Sequence, residues 1–111
     1  MEIIQKDNIS IITPFSPRLG KYEAKRLANV INQEARQIAI NLNFVSDCTI
    51  EFIEELKNIA KIKNIGIFNI PSDIFTIFNI MKIDKTINLY TSELDFTEQK
   101  RQLINRSFSI L

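Results

Sequence analysis

Residues 38–49 change character twice, and that constrains the fold more than anything else in the chain. Ile38-Ala39-Ile40-Asn41-Leu42 is short, apolar and partly β-branched, as a strand buried on both faces requires. Asp47, Cys48 and Thr49 then offer small polar side chains just ahead of a helical pattern. This combination is a strand-to-helix loop at the carboxyl edge of a sheet, where open α/β sheets meet their ligands and partners.

The flanking segments extend the same alternation. Glu2 to Lys6 and Ile9 to Thr13 read as two short strands around the turn pair Asp7-Asn8, an opening hairpin whose first strand lies at an edge. Pro14 and Pro17 stop strand pairing, after which Ala24, Leu27, Ala28, Ile31 and Ala35 recur at helical spacing and predict a helix over about 22–35. A second helix is predicted over about 50–62, with Glu51, Glu54 and Glu55 early and Lys57 and Lys61 late, matching the helix dipole. Phe52, Ile53, Leu56, Ile59 and Ala60 fall on one arc of it, which leaves Ile50 on the far side as an exposed contact. Thr49 or Asp47 is placed to cap this helix, and Cys48 is either a small filler or a thiol activated by the helix N-terminus.

Residues 64–70 form the next apolar strand, followed by Pro71 and the N-cap candidate Ser72. In the helix that follows, Ile74, Ile77, Phe78 and Met81 face the core, while Phe75 projects off the core arc and is expected on the surface. Residues 86–90 supply a last strand. A fourth helix is predicted from about Glu93, with a loose apolar pattern through Phe96, Leu103, Ile104 and Leu111. The expected fold is therefore a single α/β domain over 1–111: a mixed, mainly parallel sheet of about five strands with four helices and an opening β-hairpin.

Composition narrows the function. The net charge is +1 and no basic run or aromatic-plus-arginine cluster occurs, so no nucleic-acid partner is expected. The chain has no histidine and one cysteine, which removes the commonest general base and metal ligand, and neither a catalytic set, a metal site nor a cofactor is expected. With two glycines it carries no phosphate-cradling glycine loop. Glu51, Glu54 and Glu55 read as a solvated first turn rather than an acid/base pair. A lone cysteine, and the lack of a signal peptide or long apolar span, point to a cytoplasmic protein without direct membrane insertion.

Taken in order, these residues resemble a STAS domain, the small α/β module named after sulfate transporters and anti-sigma factor antagonists. Pro17-Arg18-Leu19 followed by Ala24 and Leu27 is similar to the family's Gly-Arg-Leu start of its first helix, and residues 38–42 sit where the family has a hydrophobic strand. Asn69-Ile70-Pro71-Ser72-Asp73-Ile74, then Ile77-Phe78, then Ile83-Asp84-Lys85 matches without gaps the family's asparagine-containing strand end, third helix and the turn before its last strand. In regulatory members the resemblance implies a serine or threonine within Asp-Ser-Ser-Gly that a partner kinase phosphorylates. Here that motif is eroded: Ile50 or Cys48 takes the acceptor position, depending on register, so the nearest hydroxyls are Thr49 and Ser46. Pro17 replaces the family's glycine, and so does Lys82 after the third helix.

The resemblance implies a non-catalytic interaction module for regulation or signal transduction, similar to anti-sigma factor antagonists. Its partner would be a kinase-like or other regulatory protein, bound through Ser46, Asp47, Cys48, Thr49, Ile50 and Phe75. The alternative it implies is an accessory subunit of a membrane transporter.

Overall fold

The computed structural model describes residues 1–94. Its framework is a five-stranded sheet in the order β1-β2-β4-β6-β7. The strands are β1 (Glu2–Lys6), β2 (Ile9–Thr13), β4 (Gln37–Asn41), β6 (Ile65–Phe68) and β7 (Asn88–Leu89). β1 pairs antiparallel with β2 across the Asp7-Asn8 turn, and every other neighbour in this sheet is parallel. Two further strands, β3 (Arg18–Leu19) and β5 (Asp47–Cys48), form a separate parallel pair. The fold is α/β with a mixed, mainly parallel sheet, as the alternation of patterns requires.

Three helices make the crossovers among the described residues: α1 (Lys21–Asn32), α2 (Ile50–Ala60) and α3 (Ser72–Ile80). From β2 onward the chain steps one strand at a time in a single direction. Crossovers of constant right-handedness then place all three helices on the same face of the sheet. Burial agrees with this. Ala24, Leu27 and Ile31 of α1, Phe52, Ile53, Leu56 and Ile59 of α2, and Ile74 and Phe78 of α3 form one core with Ile12, Ile38, Ile40, Ile65, Ile67 and Leu89 of the strands. Each such large side chain contributes about 1.5–3 kcal/mol by leaving water.

Element ends depart from the sequence pattern for local reasons. The first helix stops at Asn32 rather than near 35, because Glu34 is drawn away to the hairpin. The Glu34 carboxylate accepts from Gln5 Nε2 and from the backbone N–H of Arg36, both at 3.1 Å, and its carbonyl accepts from Lys63 Nζ at 2.8 Å. The last strand is shorter than 86–90 because Ile83–Lys85 forms a 3-10 turn, entered through Lys82 in the left-handed region at φ 56° and ψ 40°. The expected fourth helix, from about Glu93 through Leu111, falls almost wholly outside the described residues.

Candidate functional site

The carboxyl edge of the sheet is built from the ends of β2, β4 and β6. Asn41 Nδ2 donates to Thr13 Oγ1 at 3.3 Å, and Asn69 Nδ2 donates to Asn41 Oδ1 at 3.0 Å, so three strand ends are joined by side chains. Asn69 adopts φ 55°, which an asparagine tolerates better than most residues. The loops leaving this edge therefore start from fixed points.

The loop 46–50 is pinned rather than free. The N–H groups of Ser46 and Asp47 both donate to the Pro17 carbonyl, at 2.7 and 3.1 Å, and Thr49 N–H donates to the Leu19 carbonyl at 2.9 Å. These bonds are the edges of the β3–β5 pair. Strands of two residues are too short to show a periodicity, which is why the sequence pattern does not reveal them. Arg18 and Asp47 lie 3.5 Å apart across the pair with both side chains exposed, an ion pair worth about 1 kcal/mol at most.

Thr49 is the N-cap of α2: its Oγ1 accepts from Phe52 N–H at 3.2 Å. Its hydroxyl is thus already engaged in stabilising the helix. Ser46 and Asp47 are exposed, and Ile50 is 63 % exposed beside a shallow groove lined by Lys21, Ala24, Lys25, Glu51, Glu54 and Glu55. Ile50 and Ala24 are thus the apolar side chains of a groove otherwise lined by charges of both signs.

Two of the expected contact residues are withdrawn from the surface, one wholly and one in part. Cys48 is a strand residue packed in the main core, two positions ahead of the first helical residue. Burial, and next the neighbouring Asp47 charge, push its thiol up to about 11, so it is the filler and not the activated nucleophile. Phe75, expected on the surface, is half-buried and packs against the same core. Helix α3 is only nine residues long and its apolar arc is wide, so a residue at the margin of that arc still reaches the sheet-facing core.

The sequence reading missed an aromatic pair. Phe15, in the loop after β2, and Phe44, in the loop after β4, are each 53 % exposed, with ring centroids 5.4 Å apart in an edge-to-face arrangement. Phe44 lies two residues before Ser46, so the pair adjoins the pinned loop. The signal was present: both are large apolar residues in segments with no helical or strand periodicity to absorb them.

Among the described residues no group of three or more His, Cys, Asp or Glu side chains is placed to hold a metal ion, and no helix is long and apolar enough to cross a membrane. No protein-family model matches the chain, and no curated protein matches it either.

Proposed function

We propose that this domain is a protein-binding module of the STAS kind, without catalytic chemistry of its own, that docks a kinase-like or other regulatory protein at the carboxyl edge of its sheet. The observation that carries this reading is the exposed Phe15–Phe44 pair beside Ser46, Asp47 and Ile50, on loops held by backbone and side-chain hydrogen bonds. Exposed aromatics with a polar rim on a rigid base match the composition of binding hot spots, and pre-organisation lowers the ordering cost of association. The positions quoted for the family are compatible with it: Asn69 directly follows β6, and Ile83-Asp84-Lys85 forms the turn before the last strand.

On this reading the contact set is Ser46, Asp47, Ile50, Phe15 and Phe44, with Thr49 supporting the loop from beneath. If a phosphoswitch operates, Ser46 is its acceptor rather than Thr49, because the Thr49 hydroxyl caps α2 and is half-buried. A phosphate there adds about −1.5 to −2 charges next to Asp47 and would compete for Arg18.

The test is capture from the host's lysate by the intact chain and by the Phe44→Ser and Ile50→Lys variants, with the retained protein identified by mass spectrometry. The reading expects a regulatory protein held by the wild type and lost by both variants at unchanged melting temperature. Retention that ignores both substitutions removes the site, and recovery of a transporter's ATP-binding subunit favours the transporter role instead.

A further inference from the structure

The five-stranded sheet has two side edges, and they are not alike. On one side β7 is only two residues long, and brevity is a common way of keeping an edge from pairing with another chain. On the other, β1 runs for five residues with every side chain exposed, in unbroken register with β2 and with no proline or bulge to interrupt it. Ile3 and Ile4 are 43 % and 39 % exposed there.

The direction of the main-chain groups of β1 follows from one bond. Gln37 N–H donates to the Asn8 carbonyl at 2.9 Å, so Asn8 turns that group toward β4. Successive strand residues alternate in this respect, so Ser10 and Ile12 also bond to β4, and Ile9, Ile11 and Thr13 bond to β1. The register then fixes β1. Lys6, Ile4 and Glu2, the partners of those three residues, direct their N–H and C=O groups inward to β2, while Ile3 and Gln5 direct theirs outward. The two-residue Asp7-Asn8 loop, which closes on Lys6 and Ile9, requires the same parity. Among the described residues nothing pairs with the outward main-chain groups of Ile3 and Gln5.

We propose that β1 pairs antiparallel with β1 of a second copy of this chain, centred on Ile4, and joins the two sheets into one. Alignments centred on Ile3, Ile4 or Gln5 oppose outward groups to outward groups, and only the one centred on Ile4 pairs the whole strand. In that alignment Ile3 and the second copy's Gln5 exchange both N–H···O bonds, and the symmetry repeats the exchange at Gln5. Glu2 stands opposite Lys6 of the second copy, at both ends, and Ile4 meets its own counterpart on the two-fold axis in a close pair without hydrogen bonds. Hydrogen-bond direction, charge and apolar contact thus select the same alignment, whereas a parallel pairing in register would oppose like charges at each end. Lys6 Nζ lies 3.0 Å from Glu93 Oε2 with its side chain 57 % exposed, and an ammonium has donors for a second carboxylate.

The two-fold axis runs perpendicular to the joined sheet, so the helices of both copies lie on one side of it and the 46–50 loops point to opposite ends. Pairing uses none of the residues of the carboxyl-edge surface proposed above and leaves both copies of that surface free.

The experiment follows the mass of the full chain by sedimentation over a range of concentrations, where the wild type is expected to pass from monomer to dimer. Glu2→Lys and Lys6→Glu each set like charges opposite one another at both ends, so either variant alone should dimerise about tenfold more weakly. The two variants mixed in equal amounts set opposite charges at both ends again, and should recover the wild-type affinity. Ile3→Pro removes an outward N–H without touching the β1–β2 ladder, and should abolish the dimer with the melting temperature little changed. A wild type still monomeric at about 1 mM overturns the inference. So does a dimer that survives Ile3→Pro, which puts the contact on another surface, and so does a mixture of the two charge variants that associates no better than either alone.

Discussion

The Thr49 hydroxyl accepts the backbone N–H of Phe52 across 3.2 Å, and this one bond ties the pinned loop to the first turn of α2. Because Phe52 is 1 % exposed and sits in the main core, its N–H has little access to water if the cap is lost. Thr49→Ala is expected to destabilise the domain by about 1 kcal/mol, within the 0.5–2 range of lost caps, and Thr49→Ser to be close to neutral. Denaturant unfolding of the two variants side by side measures this.

Phe75 tests the corrected placement in α3. An exposed phenylalanine truncated to alanine costs under about 1 kcal/mol and a fully buried one about 3–5 kcal/mol. The half-buried position, packed against the core, predicts a loss between those limits for Phe75→Ala. A neutral outcome in chemical unfolding would return Phe75 to the surface.

Cys48 should label slowly with thiol reagents at neutral pH and quickly once the chain is unfolded, since its folded thiol is raised to about 11 from a usual value of 9.0 by burial. The linkage has a definite sign. The folded group holds its proton where the unfolded one releases it, so its stabilising contribution is whole below about pH 9 and is lost as pH rises toward 11. Cys48→Ala removes that alkaline slope, and unfolding midpoints followed from pH 8 upward would reveal it.

Glu34 gives the opposite dependence at the acid end. The backbone N–H of Arg36, then the Ser10 hydroxyl, with smaller help from the side chains of Gln5 and Arg36, lowers its carboxyl to about 2 from 4.5. A depressed folded value means that the contribution is present above about pH 4.5 and fades as pH falls toward 2. Glu34→Gln should flatten the acid limb of the stability profile, read from unfolding midpoints between pH 5 and 2.

Lys82 holds φ 56° and ψ 40°, a left-handed conformation that costs an ordinary residue about 1–2 kcal/mol. Lys82→Gly relieves this strain but gives the unfolded chain more freedom, so a net gain of up to about 1 kcal/mol is expected in thermal unfolding. A loss would mean that the lysine side chain makes a contribution larger than the strain.

The order of elements could be read from the sequence because each was written in a period its neighbours do not share. Period-two or continuous apolar runs gave β1, β2, β4 and β6, and arcs at helical spacing gave α1, α2 and α3 within a few residues. The exposure of Ile50 and the capping position of Thr49 were legible for the same reason, since both depend on one helix and its first turn. At Lys82 the resemblance marks only a replaced glycine, and the left-handed backbone there comes from the structure.

What the sequence could not supply were relations between segments far apart along the chain. The β3–β5 pair exists because Pro17 and Leu19 carbonyls meet the N–H groups of Ser46, Asp47 and Thr49, and neither segment carries a pattern that names the other. For Cys48 the nearness of a helix start leaves a filler and an activated thiol both open, and the choice is made by the core that β5 is pressed against. Phe15 and Phe44 became a pair only when two strand ends were brought together at one edge. Local periodicity therefore determined which elements this chain forms, while tertiary packing decided which of their side chains reach water, because exposure depends on what lies across the gap and not on the segment alone.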